Sequence, residues 1–212
     1  EIRMYEDSPE DLVYDLSSYA AWGDTPMGRT ILGTYESLDG ITPDIMRNYM
    51  NNHYTSANTI ISVSGNFDDT FFELLEKYFG TKKMLDTKPY LPDAPYISKN
   101  NIVKEKDIEQ VQLVATFKGI DVMDESVYSL LVFNNVFGSG MSSRLFQNIR
   151  EQRGLVYSIS AGHSAYINTG VFDISAGMSP ESLGEVAHLI SKEINTIKRN
   201  KLTSAEITKA KE

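Results

Sequence analysis

Phe137-Gly-Ser-Gly-Met-Ser-Ser-Arg-Leu-Phe-Gln-Asn-Ile-Arg-Glu-Gln-Arg-Gly-Leu-Val-Tyr-Ser-Ile-Ser160 is the stretch on which the reading of this chain turns. It opens on a Gly-Ser-Gly turn, places Met141, Leu145 and Ile149 at helical spacing, and stops at Gly154 before an apolar, β-branched run. The pattern predicts loop, helix, loop and strand. Gly138 and Gly140 permit positive φ and close backbone approach, so the loop can cradle another backbone or a ligand. The helix then carries Arg144, Arg150 and Arg153. A guanidinium is always charged and presents a planar fork of donors, so such a cluster suits a carboxylate, a carbonyl or a developing oxyanion. The same residues also fit a solvated helix face whose last arginine complements the helix dipole.

Working outward, Asp124–Phe137 is a mostly apolar helix that delivers the chain to this loop. Asp107–Gly119 alternates and then turns apolar, which predicts a strand. Beyond Gly154, Leu155–Tyr166 and Gly170–Gly177 flank Ile167-Asn168-Thr169 and form a hairpin by turn chemistry. Pro180–Arg199 places Leu183, Val186, Ala187, Ile190, Ile194 and Ile197 on one side of a helix, and another helix starts at the Thr203 cap. On the N-terminal side, Lys82–Asn101 holds prolines at 89, 92 and 95 with no period, and reads as a linker. Ahead of it come a helix stopped by Gly80 (Asp68–Phe79), a β-branched strand ended by Gly65 (Asn58–Gly65), and a helix capped by Thr42-Pro43-Asp44. The first long helix is predicted from Pro9 to Ala21, with Ser8 as N-cap and acids in its first turn.

The chain has 212 residues and a formal charge of −9. An acidic chain without a basic run offers no surface for nucleic acid. Cysteine is absent, which removes disulfides, thiolate zinc ligands and thiol nucleophiles and fits a cytoplasmic protein. No apolar run reaches membrane-spanning length. The chain begins at Glu1 with no initiator Met, and we take it as a fragment or processed piece. Its three histidines, His53, His163 and His188, are too far apart in sequence for any helix to set two on one metal. No G-x-S-x-G elbow is present, and Gly138-Ser139-Gly140 follows a helix where a dinucleotide fingerprint follows a strand. The acidic pairs Glu6-Asp7, Glu10-Asp11 and Asp68-Asp69 read as helix-start residues.

Four motifs together resemble the pitrilysin (M16) family of zinc metallopeptidases, of the processing-peptidase-like kind. Gly138–Tyr157 resembles that family's second-domain signature, and Glu109-Gln110 the start of the first long strand of that domain. Pro26-Met-Gly-Arg-Thr-Ile-Leu-Gly33 resembles its P-x-G-R-x-I-L-G turn, and Glu1-Ile-Arg-Met-Tyr-Glu-Asp-Ser-Pro-Glu-Asp11 its active-site helix. The resemblance implies an α+β fold of tandem domains, each a twisted mixed sheet backed by helices. Residues 1–81 would be the C-terminal part of a first, zinc-bearing domain, 82–101 the linker, and 102–212 most of the first part of the second domain.

The resemblance implies endopeptidase chemistry on unfolded or presequence-like peptides, with zinc as cofactor in the parent protein. Glu1 is the implied third zinc ligand, while Arg150 and Tyr157, seven positions apart, are the implied catalytic donors to the substrate carbonyl or tetrahedral oxyanion. Gly138, Gly140 and Arg144 are candidates for contacts to the peptide substrate. The family's His-x-x-Glu-His motif is missing, so this chain alone is expected to bind no catalytic zinc and to be inert. A homodimer or a heterodimer with a family member is the expected assembly, with no nucleic acid and no membrane. The alternative is a non-catalytic subunit of the same family that binds peptide or assembles with an active partner.

Overall fold

The computed structural model describes residues 1–80, 97–98 and 100–211, and these form two compact units: residues 1–32 with those from 97 onward, and residues 33–80. The linker expected at 82–101 lies almost wholly outside the described residues.

In the larger unit a short helix α1 (Ile2–Glu6) leads into α2 (Pro9–Trp22). Helix α2 starts where the sequence predicts, because Ser8 Oγ accepts the Asp11 N–H at 3.4 Å and Pro9 presets the first helical φ. Strands β1 (Val111–Lys118), β2 (Ser158–Ala165) and β3 (Gly170–Met178) form an antiparallel sheet of order β1-β3-β2, so the last strand is the central one. The β2–β3 hairpin closes through the Tyr166 N–H on the Thr169 carbonyl at 2.8 Å.

Strand alternation divides the sheet into two faces. Phe172, Ile174, Ala176 and Met178 of β3 join Ile159 and Ala161 of β2 in the main core. Phe137 of α6 (Val127–Phe137), Val186 and Ile190 of α7 (Leu183–Asn200), and Leu145, Ile149 and Val156 between those helices in sequence belong to the same core. On the other face Val171 packs with Ala21 and Trp22 of α2, and Trp22 meets Tyr166 edge-on at 5.8 Å. The carboxyl of Asp173, on this second face, accepts the Thr116 hydroxyl at 2.6 Å, and burial pushes its pKa up. The last helix, α8 (Ser204–Lys211), begins with a capping box: Thr203 Oγ1 accepts the Glu206 N–H at 3.2 Å, and the Glu206 carboxylate accepts the Thr203 N–H at 2.8 Å.

The smaller unit holds α3 (Tyr35–Asp39), α4 (Pro43–His53) and α5 (Thr70–Phe79). Its caps form as the sequence demands, with Thr34 and Ser37 in a reciprocal box and Thr42 Oγ1 accepting from Ile45 N–H at 3.3 Å. The strand expected over Asn58–Gly65 does not form, and Ile60 is 95% exposed. A helix satisfies its backbone internally, whereas an extended segment needs a neighbour for its N–H and C=O groups, and no described strand pairs with this one.

Candidate substrate-contacting site

Helix α6 ends at Gly138, whose N–H returns to the Asn134 carbonyl at 2.9 Å. The Gly138 carbonyl accepts the Ala161 N–H at 2.9 Å, which seats the loop directly on β2. A Cβ at position 138 would stand 2.4 Å from the Ala161 Cβ and 2.7 Å from its amide nitrogen. The backbone that Gly138 cradles is therefore the chain's own sheet. Neither Gly138 nor Gly140 uses the positive φ that the sequence reading allowed them, and a Cβ at Gly140 would meet nothing within 4 Å.

The helix expected across the arginines is a π-helix, Phe146–Glu151, with the Gln152 N–H on the Gln147 carbonyl at 3.0 Å. Single π-turns recur at functional sites, where they re-aim side chains, and propensity alone does not announce them. Leu145 and Ile149 anchor this turn in the core at 0% and 1% exposure. Arg150 faces outward with its guanidinium carbon 4.9 Å from the centre of the Phe146 ring. No described carboxylate pairs with it, so its donors stay available while the ring fixes its direction.

Gly154 then reverses the chain at φ +64, the left-handed conformation that favours glycine, and its N–H caps the Arg150 carbonyl at 2.9 Å. Val156 is buried, and Tyr157 docks on β3 through its N–H to the Gly177 carbonyl at 2.8 Å. Tyr157 is 60% exposed. One turn thus brings Arg150 and Tyr157 to its two sides, each anchored by buried neighbours and each open to solvent. They make no hydrogen bond to one another.

Arg144 is placed differently. Its Nε and Nη2 donate to the two Glu206 carboxylate oxygens at 2.7 and 2.9 Å, and Nη1 donates to Glu193 at 3.1 Å. This fork holds Glu206 well below the usual carboxylate range, at about 2, through the Arg144 hydrogen bonds, with the Thr203 bonds adding to it. All three guanidinium nitrogens tie the start of the π-helix to α7 and α8. The Thr203 cap was legible in the sequence, but the pairing of Glu206 with Arg144, 62 positions away, was not.

Glu1 is the exposed N-cap of α1, and its side chain caps nothing. Among the described residues no three His, Cys, Asp or Glu side chains gather as metal ligands. His53 lies against Tyr49 at 4.3 Å, and His163 Nε2 is 3.3 Å from the Ile120 carbonyl. These residues by themselves do not fit a zinc centre. Among the described residues no helix is long and apolar enough to cross a membrane.

The family model of the peptidase M16 inactive domain matches residues 40–212. An uncharacterized zinc protease of Bacillus subtilis is 40% identical over all of this chain, which covers 52% of that protein. One from Rickettsia felis is 35% identical over 92% of this chain and 47% of its own length. The chain thus spans about half the length of the curated relatives it matches. Among solved structures, a peptidase M16 inactive domain from Pseudomonas fluorescens superposes with a TM-score of 0.79 at 21% identity, over 99% of this chain and 51% of that one. A chain of complex III2 from Candida albicans superposes at 0.84 and 19%, over 99% and 52%. At those identities the likeness is one of fold. The match of the family model over most of the chain, with the relatives named zinc proteases, shows that this chain belongs to the M16 peptidase family.

Proposed function

We propose that this chain is the part of a zinc-dependent M16 endopeptidase that supplies Arg150 and Tyr157 to a bound peptide. The observation that carries the reading is the Gly154 turn, which presents an unpaired guanidinium and an exposed phenol from two anchored elements. Both donors suit a peptide carbonyl or the oxyanion of a tetrahedral intermediate. One well-aimed donor of this kind contributes about 2–4 kcal/mol to the transition state. The zinc and its other ligands would belong to the part of the longer protein outside these 212 residues, and the resemblance makes Glu1 a further ligand. Extended, processing-type peptides are the substrate class in keeping with the family, and a cysteine-free sequence is in keeping with the cytoplasm.

The test is mutation in the full-length protein. Arg150→Ala and Tyr157→Phe should each lower kcat/KM, by about a hundredfold for the better-aimed donor, with zinc content and Tm unchanged. If instead both lower Tm and leave the activity per folded molecule intact, Arg150 is only a cap on its own helix and the assignment is withdrawn.

A further inference from the structure

Two arginines of one short segment are held in opposite ways. Arg144 has each of its three guanidinium nitrogens on a carboxylate, of Glu206 or Glu193, so its charge is matched and its fork is engaged. Arg150 meets no described carboxylate, although the chain holds 29 Asp and Glu residues. Its guanidinium carbon stands instead over the Phe146 ring, 4.9 Å from the centroid. That ring is not explained by packing. Leu145 before it and Ile149 after it lie in the main core, whereas Phe146 is only partly buried and joins neither hydrophobic cluster of the described residues.

The two supports do different things to a donor. A carboxylate holds a guanidinium by taking its N–H groups, and it cancels the charge that a nearby ligand would feel. An aromatic face attracts the cation through its quadrupole, accepts no N–H in the fork's plane and carries no net charge. A donor to a developing oxyanion has to be in place before the charge appears, with its own charge uncompensated. A ring meets both conditions and a carboxylate meets only the first. We infer that Phe146 is the positioning residue of Arg150, its ring holding the guanidinium in the direction from which it serves the substrate. This role rests on the reading of Arg150 as a substrate donor, and the variants that follow tell the two apart.

The test is a set of variants in the full-length protein, with zinc content and circular dichroism measured for each. Phe146→Leu and Phe146→Met keep an apolar side chain and remove the ring, and each should lower kcat/KM about tenfold. Phe146→Tyr keeps the ring and should stay within about twofold of the wild type. In an Arg150→Ala background, Phe146→Leu should cost nothing further, because the group it positions is gone. A purely structural role would instead give the same loss with and without Arg150, and that result would overturn the inference. Equal losses from the Leu and Tyr variants, or no loss from removing the ring while Arg150→Ala is impaired, would overturn it as well. If Arg150→Ala alone leaves kcat/KM intact, the reading of Arg150 as a donor fails first and the role of Phe146 falls with it.

Discussion

Residues 33–80 and the sheet with its helices are built from similar sequence material and end in different states. Both contain well-capped helices and β-branched runs. In the later residues, Phe137, Leu145, Ile149, Ile174, Met178 and Val186 are less than 2% exposed. In residues 33–80 only Thr55 is buried, while Ile45, Tyr49, Met50, Ile60, Phe72 and Tyr78 are all at least half exposed. The caps at Thr34 and Thr42 form without a core because their hydrogen bonds are local. A strand and a core require residues distant in sequence, and only the later region supplies them to itself.

The sharpest break in that comparison would come from hydrogen exchange. Amides of residues 33–80 should exchange near the local limit, whereas those of β3, paired on both sides and buried, should be protected on the order of a thousandfold more. Comparable protection in both would mean that residues 33–80 are stabilised by something other than burial. Within the protected region, Gly138→Ala should cost about 3 kcal/mol, since its Cβ would stand 2.4 Å from the Ala161 Cβ, while Gly140→Ala should be near neutral; paired urea melts distinguish them. Equal losses would show that the loop does not sit on β2.

Arg144→Ala should lower stability by about 2 kcal/mol, since it strands two half-buried carboxylates. The pH dependence has a definite sign. Glu206 has its pKa depressed in the folded chain, so its contribution is present above its ordinary value of 4.5 and lost as pH falls towards about 2. Melts across that window should flatten in the Arg144→Ala variant. The smallest effect expected is at Asp173. Its pKa is raised by burial, so its contribution is complete below 3.8 and is lost as pH rises through the folded value. Asp173→Asn should therefore raise Tm by about 2 °C at pH 7 and change it little at pH 3.

Much of this fold was legible in the sequence. Ser8-Pro9, Thr42-Pro43 and Gly154 all punctuate the chain as their chemistry predicts, β2 falls inside the expected hairpin, and β3 runs one residue past its expected end. Asn58–Gly65 misled because a β-branched run states a preference for extension and says nothing about a partner. The residues of the candidate site could be named from the sequence, but their geometry could not. The Arg150–Tyr157 spacing around Gly154 could be read, but the pairing of Arg144 with Glu193 and Glu206, and the ring of Phe146 beneath Arg150, arise from contacts that no local pattern encodes. Gly138 was correctly read as a close-approach glycine, with the approaching partner being Ala161.

The π-turn at Phe146–Glu151 has a consequence for heredity. Such a turn is an α-helix with one residue too many, retained although it packs less well. Loss of a single codon here would restore the ordinary pitch, swing the following side chains round the axis, and take the guanidinium of Arg150 off its aromatic rest. Point changes on the exposed face other than at Arg150 should be tolerated across descendants of this gene, whereas a change of length by one should be purged.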